Sequence, residues 1–416
     1  MVSELSYYDT NIPCLAACPV HTNAGMYVAA IADGNDELAY LTARLPNPFA
    51  SVCGRVCAAP CEEACRRGAI DRPIAIRALK RFVTEKYGTE TGSEMWKNVA
   101  APPEKLLPQS IGIVGGGPAG MAAAHDLRRF GYGVTIYEAT DRLGGAMWLG
   151  IPEYRLDRTV LQKDIDAILD LGVEVEYNTR LGDDFTLEEL RERHDAVFLA
   201  IGATLGRGLD IEGNEADGVF RAIEFLINMN RGFQVDVGER VVVIGGGDVA
   251  MDAARTALRA DVYAGQTSES PDEQSSLQVA FDVARTAARA GARDVSVVSL
   301  ESRKEMPAHE FEIEEAEREG ISFVHRQGPK RIVTRDGAVT GLETIRCLSV
   351  FNEEGRFSPE FDTEDVTTLE ADTIILAIGQ AIDLDALGSE GPEISPRRTI
   401  SVDNETGRTS IDGIWS

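Results

Sequence analysis

Twice in this chain, 130 residues apart, a short apolar run opens onto three consecutive glycines and then onto an alanine-rich stretch. The first copy is Ile111-Gly112-Ile113-Val114 followed by Gly115-Gly116-Gly117-Pro118-Ala119-Gly120. The second is Val241-Val242-Val243-Ile244 followed by Gly245-Gly246-Gly247-Asp248-Val249-Ala250. An apolar run this short reads as a buried strand, and the alanine-rich stretch as a helix. Strand, glycine turn and helix in that order predict a parallel sheet with helices on its faces, made twice. The first glycine of such a turn allows the tight bend, the second lets backbone approach a pyrophosphate, and the third lets helix and strand pack closely. Free N–H groups and the dipole at the helix start then favour the phosphates. Gly115, Gly117, Pro118, Ala119 and Gly120 are therefore candidate cofactor-binding residues of the first turn, with Gly245, Gly247, Asp248 and Ala250 those of the second. A lone glycine turn also arises from packing alone, but two in the same context point to two dinucleotides.

Such a turn calls for a carboxylate about 20 residues further on, to accept from the ribose hydroxyls. Glu138, 18 residues after Gly120 and at the end of the strand pattern 134–138, meets this for the first turn. For the second the candidate is Glu301, 54 residues after Gly247. A duplication accounts for the excess: residues 249–260 and 279–290 match at 9 of 12 positions with an offset of 30, joined by a Ser-, Asp- and Glu-rich excursion. Without that insert the spacing is 24. A carboxylate there accepts from a 2′-hydroxyl and repels a 2′-phosphate, so Glu301 favours NADH over NADPH; Arg303 argues the other way, since an arginine can hold a 2′-phosphate. Residues 196–203 and 374–380 form two further apolar strands ending in Ala-Ile-Gly, where Ala200, Gly202 and Gly379 let backbone pass close to a ligand. They bracket the second turn, which predicts a discontinuous first domain that the chain leaves near 205 and rejoins near 371.

A length of 416 residues suits two to four domains. With 41 basic and 68 acidic side chains the net charge is −27, a surface that repels nucleic acid and anionic lipid. No apolar run approaches the roughly 18 residues of a membrane helix. Residues 1–6 carry neither a basic nor an apolar leader segment, so a cytoplasmic protein without membrane insertion is expected. Pro102-Pro103 marks a linker. The expected organisation is a helical domain over 1–105, a first nucleotide domain over 106–205, a second over 206–370, and a return segment over 371–416.

Six of the seven cysteines fall within the first 65 residues, at Cys14, Cys18, Cys53, Cys57, Cys61 and Cys65, while Cys347 stands apart. The last four of the six are spaced by four. Pro60 breaks any single helix through them and starts a short one on which Cys61 and Cys65 share a face. Zinc is one use for such a set, but six cysteines overfill a four-ligand site. A disulfide framework belongs with secretion, of which there is no sign. Iron–sulfur fits better, because thiolates hold [4Fe–4S] clusters four at a time.

A cysteine-rich helical N-terminus followed by two nested dinucleotide domains resembles the small (β) subunit family of bacterial glutamate synthase. It is similar also to the N-terminal half of dihydropyrimidine dehydrogenase and to the large subunit of NADH-dependent ferredoxin:NADP oxidoreductases. Residues 54–65, 113–120, 149–156, 243–259 and 303–308 carry the likeness, which covers nearly the whole chain. It implies an α/β fold of two nested Rossmann-like domains, glutathione-reductase-like, behind an α-helical iron–sulfur domain. FAD is implied in the first nucleotide domain and a nicotinamide nucleotide in the second. Gly144, Gly145 and Arg155 join the candidate cofactor-binding residues. By position, Cys14 and Cys65 belong to one family cluster and Cys18, Cys57 and Cys61 to the other.

Four departures qualify this. No Cys-x-x-Cys precedes Cys14, and Lys80 stands where the family has a Glu or Gln ligand. One [4Fe–4S] cluster is therefore expected, on Cys18, Cys57 and Cys61 with one of Cys14, Cys53 or Cys65; two would need ligands from a partner chain. Leu300 and Glu301 replace the paired arginines near the second ribose. After residues 413–416 the family continues into an Ala-x-Gly-Asp segment at the flavin, so either a longer chain or a weakened flavin site is expected.

The resemblance implies hydride transfer from NADH, or else NADPH, to FAD, and electrons leaving through the cluster to a catalytic oxidoreductase subunit or a ferredoxin in a hetero-oligomer. A non-redox scaffold subunit is the alternative. A thioredoxin-reductase-type enzyme needs a cysteine pair beside the flavin, and no Cys-x-x-Cys occurs beyond residue 100. The scattered His21, His125, His194, His309 and His325 read as surface or satisfied side chains, and the acids of 310–319 as a solvated helix face. On resemblance alone, Met306-Pro307 shapes the nicotinamide side of the second site.

Overall fold

Prolines and asparagines set the helix starts near the N-terminus. Pro13 and Pro60 occupy the first turns of Pro13–Ala16 and Pro60–Glu63, where a missing N–H costs nothing. The Asn23 and Asn35 side chains accept from the N–H groups of Met26 and Leu38, capping Ala24–Ala32 and Asp36–Arg44. Gly54 lets helix Ala50–Val56 lie on Ile76–Tyr87: a Cβ there would stand 2.9 Å from the Arg81 Cα. The computed structural model describes residues 11–233, 235–260, 292–388 and 391–416. The leader segment at 1–6, the excursion after 260 and the second copy of the repeat (279–290) lie outside the described residues.

The chain divides into two compact units, Met1–Trp148 with Glu153–Gly202 and Asp383–Ser416, and Leu149–Pro152 with Ala203–Ile382. In the first, strands β1 (Ser110–Val114), β2 (Gly133–Glu138), β3 (Glu174–Tyr177), β4 (Ala196–Leu199) and β15 (Ile414–Trp415) form an all-parallel sheet in the order β15-β4-β1-β2-β3. The helical N-terminal layer belongs to this same unit. Asp164, fully buried on helix Arg158–Leu169, accepts from the Ser51 and Val52 N–H groups and the Thr89 hydroxyl of that layer. Burial pushes its carboxyl above the usual range, opposed by the Arg44 charge and by the Thr89 and Val52 donors.

The second unit repeats the plan. Strands β6 (Val219–Arg221), β7 (Arg240–Ile244), β8 (Asp294–Ser299), β9 (Ser322–His325) and β13 (Thr373–Leu376) run parallel in the order β6-β13-β7-β8-β9. Position for position the two sheets correspond: β1 with β7, β2 with β8, β4 with β13. Here the expected boundary is corrected. The second Ala-Ile-Gly strand, β13, pairs with β7 in the second sheet, so the chain rejoins the first unit at Asp383 and not near 371. Each unit carries its own Ala-Ile-Gly strand beside its own glycine turn.

One element has no counterpart in the sequence pattern. Strands β10 (Gln327–Arg335), β11 (Ala338–Phe351) and β12 (Phe357–Glu370) make an antiparallel sheet in the second unit. Two short strands, β5 (Leu205–Gly206) and β14 (Gln380–Ala381), form a separate antiparallel pair. No helix among the described residues is long and apolar enough to cross a membrane.

Candidate functional site

Both glycine turns are bent by the same collision. Gly115 has φ +104, and a Cβ on it would meet the Ala200 carbonyl oxygen at 2.4 Å; Gly245 has φ +144, and its Cβ would meet the Ala377 oxygen at 2.3 Å. Only glycine fits either place. In each unit the Ala-Ile-Gly strand therefore presses its alanine carbonyl against the first glycine of the turn. Gly202 and Gly379, with φ +70 and +108, end these two strands. Gly117 opens the helix Pro118–Arg129 and Gly247 the helix Asp248–Ala257. The third positions differ: a Cβ on Gly120 would stand 2.0 Å from the Gly115 oxygen, whereas Ala250 carries its Cβ in a fully buried position.

In the first turn Glu138 is buried at the end of β2 and both its oxygens are used. Oε2 accepts from the Gly116 N–H at 2.8 Å, and Oε1 from the Thr140 N–H and hydroxyl, each at 2.8 Å. Gly144 donates to the Gly116 oxygen at 2.8 Å, and a Cβ on Gly145 would come within 2.8 Å of the Gly117 Cα. The Gly144-Gly145 segment thus folds directly onto the turn. Ala119 lies one residue inside the helix, and Arg155 is half-buried in the chain before Arg158–Leu169.

The second turn lines a cavity of about 740 Å³ with Gly245, Gly246, Gly247, Asp248, Glu301 and Gly379 among its walls. Glu301 reaches it from beyond its expected register. Val114 pairs with Tyr137 and Ile244 with Val298, so Ser299 is the register equivalent of Glu138 and Glu301 follows two residues later. The Glu301 carboxylate nonetheless arrives over the middle glycine, with Oε2 2.8 Å from where a Gly246 Cβ would be; Glu138 Oε2 stands 3.0 Å from the same point on Gly116. Among the described residues nothing donates a hydrogen bond to the Glu301 carboxylate.

Arg303 does not turn toward that carboxylate. Its Nε and Nη2 donate to Glu317 at 2.9 and 3.1 Å, and Nη1 donates to Glu310 at 2.9 Å. These bonds hold the guanidinium pKa above its ordinary value and the Glu317 carboxyl below. On helix Glu310–Arg318, Glu310, Glu315 and Glu317 are exposed, as the charge pattern suggests. Glu312 is itself buried and pairs with buried Arg255 at 3.2 Å.

Asp248 is also engaged within the protein. It accepts from the His309 N–H at 2.9 Å and meets the His309 Nδ1 at 2.6 Å. Met306 packs in the core, and Pro307 lies against Gly246 beside Glu301. Gln327, Pro329 and Phe357 of the antiparallel sheet complete one wall of the cavity, along with Arg207 and Gln380. Nothing in the glycine motif signals these residues.

Cys14 sits on Pro13–Ala16, Cys53 on Ala50–Val56 with Cys57 as its C-cap, and Cys61 on Pro60–Glu63. Cys18 follows in a turn, and Cys65 lies past the end of Pro60–Glu63, so Cys61 and Cys65 do not share a helix. Cys18, Cys57 and Cys61 share one electrostatic neighbourhood. Burial, then the thiols of Cys61, Cys18 and Cys57 with the Glu62 carboxylate among them, push the Tyr27 phenol up. Burial and Cys57 push the Cys61 thiol up to about 11, with the Lys80 charge opposing. Lys80 is buried, its Nζ 5.9 Å from the Tyr27 ring centre. The Ala59 N–H donates to Cys57 Sγ at 3.3 Å, from a residue held at φ +57. Thiol donors with an amide aimed at sulfur fit an iron–sulfur group, although no three His, Cys, Asp or Glu among the described residues already stand in metal-holding geometry.

Residues 109–416 match the family described as pyridine nucleotide-disulphide oxidoreductase, and residues 8–91 match dihydropyrimidine dehydrogenase domain II, 4Fe-4S cluster. The chain belongs to the pyridine nucleotide-disulphide oxidoreductase family. The cofactors that go with these matches are FAD and NAD(P)H on the nucleotide folds and a [4Fe–4S] cluster on the helical layer. The chain is 36% identical to the NADP(+)-dependent formate dehydrogenase subunit beta of Moorella thermoacetica, across 97% of this chain and 56% of that one. It thus spans about half the length of that relative. It is 31% identical to the glutamate synthase [NADPH] small chain of Azospirillum brasilense (97% and 80% covered) and 33% identical to the NAD-dependent dihydropyrimidine dehydrogenase subunit PreT of Escherichia coli (94% and 81%). Among solved structures, Mycobacterium tuberculosis FprA in complex with NADPH shares the fold, with a TM-score of 0.61 at 20% identity over 74% of this chain and 78% of that one.

Proposed function

We propose that the chain is the electron-input part of a larger oxidoreductase, oxidising NADH and delivering electrons to a partner subunit or a ferredoxin. When bound, FAD takes hydride from the nicotinamide and the [4Fe–4S] cluster carries its electrons away singly. The first turn suits the resident dinucleotide: the backbone N–H groups of Gly117, Pro118's neighbour Ala119 and Gly120 face a pyrophosphate, Gly144-Gly145 closes over it, and Glu138 fixes the turn beside the ribose. The second suits the dinucleotide that comes and goes. The open Glu301 carboxylate beside an accessible cavity is the observation that carries the reading, because it is ready to accept from a 2′-hydroxyl and repels a 2′-phosphate. Cys18, Cys57 and Cys61, with one of Cys14, Cys53 or Cys65, are the cluster ligands in this reading, with Lys80 standing where the family has the fourth ligand of the Cys18, Cys57 and Cys61 cluster. The relatives' names support a subunit of a multi-protein oxidoreductase, and they divide between NAD and NADP. Cys347 is buried and stands without a second cysteine nearby in sequence, which disfavours disulfide-reductase chemistry.

The test is anaerobic purification, assay of iron, acid-labile sulfide and flavin, and electron paramagnetic resonance after NADH addition. A flavin band that bleaches and a reduced-cluster signal that follows are expected. Flavin bleaching without the signal would remove the cysteines from the electron path, and absence of flavin would favour the scaffold alternative.

A further inference from the structure

Arg303 stands two residues from Glu301, in the loop that brings that carboxylate to the second turn. An arginine there would read a 2′-phosphate by presenting two parallel N–H groups to it. Three of the five N–H groups of Arg303, including the Nε and Nη2 edge, are engaged by carboxylates. Glu317 accepts in a fork from Nε and Nη2, and Glu310 accepts from Nη1. The two glutamates are seven residues apart on helix Glu310–Arg318, so two turns bring them to one face. That helix is anchored by the Arg255 side chain, buried and ion-paired with Glu312, Glu315 and Glu319 at 3.2, 3.0 and 2.9 Å. A cation that follows strand β9 is paired to the same loop. Arg326 pairs with Glu305 at 2.6 Å, and Glu305 in turn accepts from the Ser302 N–H and hydroxyl, which fixes the loop. Lys304 is exposed beside them.

We propose that Glu310 and Glu317 set the coenzyme preference of the second site by sequestering Arg303, so that this chain's own 2′-phosphate reader is present but silenced. They are positioning residues: neither lines the cavity, and both act through the guanidinium they hold. A phosphate seeking Arg303 would have to displace two carboxylates and then sit beside them, a like-charge arrangement that costs more than the exchange returns. Glu301 repels a 2′-phosphate directly, whereas the Glu310–Glu317 pair removes the cation that would compensate. The inference rests on the reading that the second turn takes the adenosine ribose of the coenzyme.

The experiment is calorimetric titration of the purified holoprotein with NAD+ and NADP+, in wild type, in Glu310→Gln/Glu317→Gln, and in Glu310→Ala/Glu317→Ala. Both double variants should bind NADP+ at least tenfold more tightly than wild type, with NAD+ affinity changed less than about twofold, which also shows that the site is folded. Adding Arg303→Ala to either double variant should abolish the gain. An unchanged NADP+ affinity in both double variants, or a gain that survives Arg303→Ala, would overturn the clamp. A wild-type protein that already prefers NADP+ would instead overturn the coenzyme reading, so the two failures are distinguishable.

Discussion

The two glycine turns are built by one plan and finished differently. Each places a strand's alanine carbonyl against the first glycine and a carboxylate over the second, at separations that agree within a few tenths of an ångström. What differs is whether the protein uses up those groups. Glu138 accepts on both oxygens, from the turn and from Thr140, while among the described residues nothing donates to the Glu301 carboxylate beside the cavity. At the third position the first turn admits no side chain and the second already carries one, Ala250. A turn whose polar groups are satisfied internally is rigid and suits a cofactor that stays. A turn that leaves its carboxylate open has its hydrogen-bonding capacity in reserve for a ligand that exchanges.

The sharpest way to break the comparison is at the third position. Gly120→Ala should cost about 3 kcal/mol, because its Cβ meets a backbone oxygen that belongs to the turn itself, and should release flavin. The converse change, Ala250→Gly, should cost only about 1 kcal/mol of helix propensity and leave coenzyme binding in place. Thermal melts with flavin quantitation check both. Next in size is the pair of carboxylates. Glu138→Ala strands the Gly116 and Thr140 N–H groups and should lower stability by about 2 kcal/mol. Glu301→Ala removes no internal bond, so stability should stay within about 0.5 kcal/mol, while NADH affinity falls roughly tenfold. The smallest effect is expected in the cysteine layer. Ala59→Gly relieves a left-handed residue and should stabilise the apoprotein by about 1 kcal/mol with cluster content intact, as iron assay and melting would show.

Much of this architecture was legible. The strand–turn–helix copies stand where the apolar runs and glycines predict, and discounting the duplication led to Glu301. Its actual position, two residues past the register equivalent of Glu138, could not be read, because spacing reports chain length and not the bend that Ser299 makes by donating to the Glu301 carbonyl at 3.1 Å. The second Ala-Ile-Gly completes the second sheet and not the first, which is hidden for a related reason. Two strands with the same pattern serve the same role in two sheets, and sequence alone does not say which sheet each completes. The acids of 310–319 mostly reach solvent, as their pattern suggests, but a charge run does not show that Glu312 is buried against Arg255 or that Glu310 and Glu317 hold Arg303. The antiparallel sheet left no trace, since β12 is mostly exposed along both faces and lacks the two-residue alternation of a half-buried strand. On the helical layer, the four-residue cysteine spacing suggested a shared helix that Ala64 and the turn after it do not continue.

The central claim is that the open carboxylate of the second turn selects the coenzyme that reduces the flavin of the first. The most direct measurement is an anaerobic titration of the flavin absorbance with NADH and, in a separate cuvette, NADPH. The account predicts that NADH bleaches the band at a concentration at least tenfold lower than NADPH. Equal potency, or bleaching by NADPH first, would contradict it.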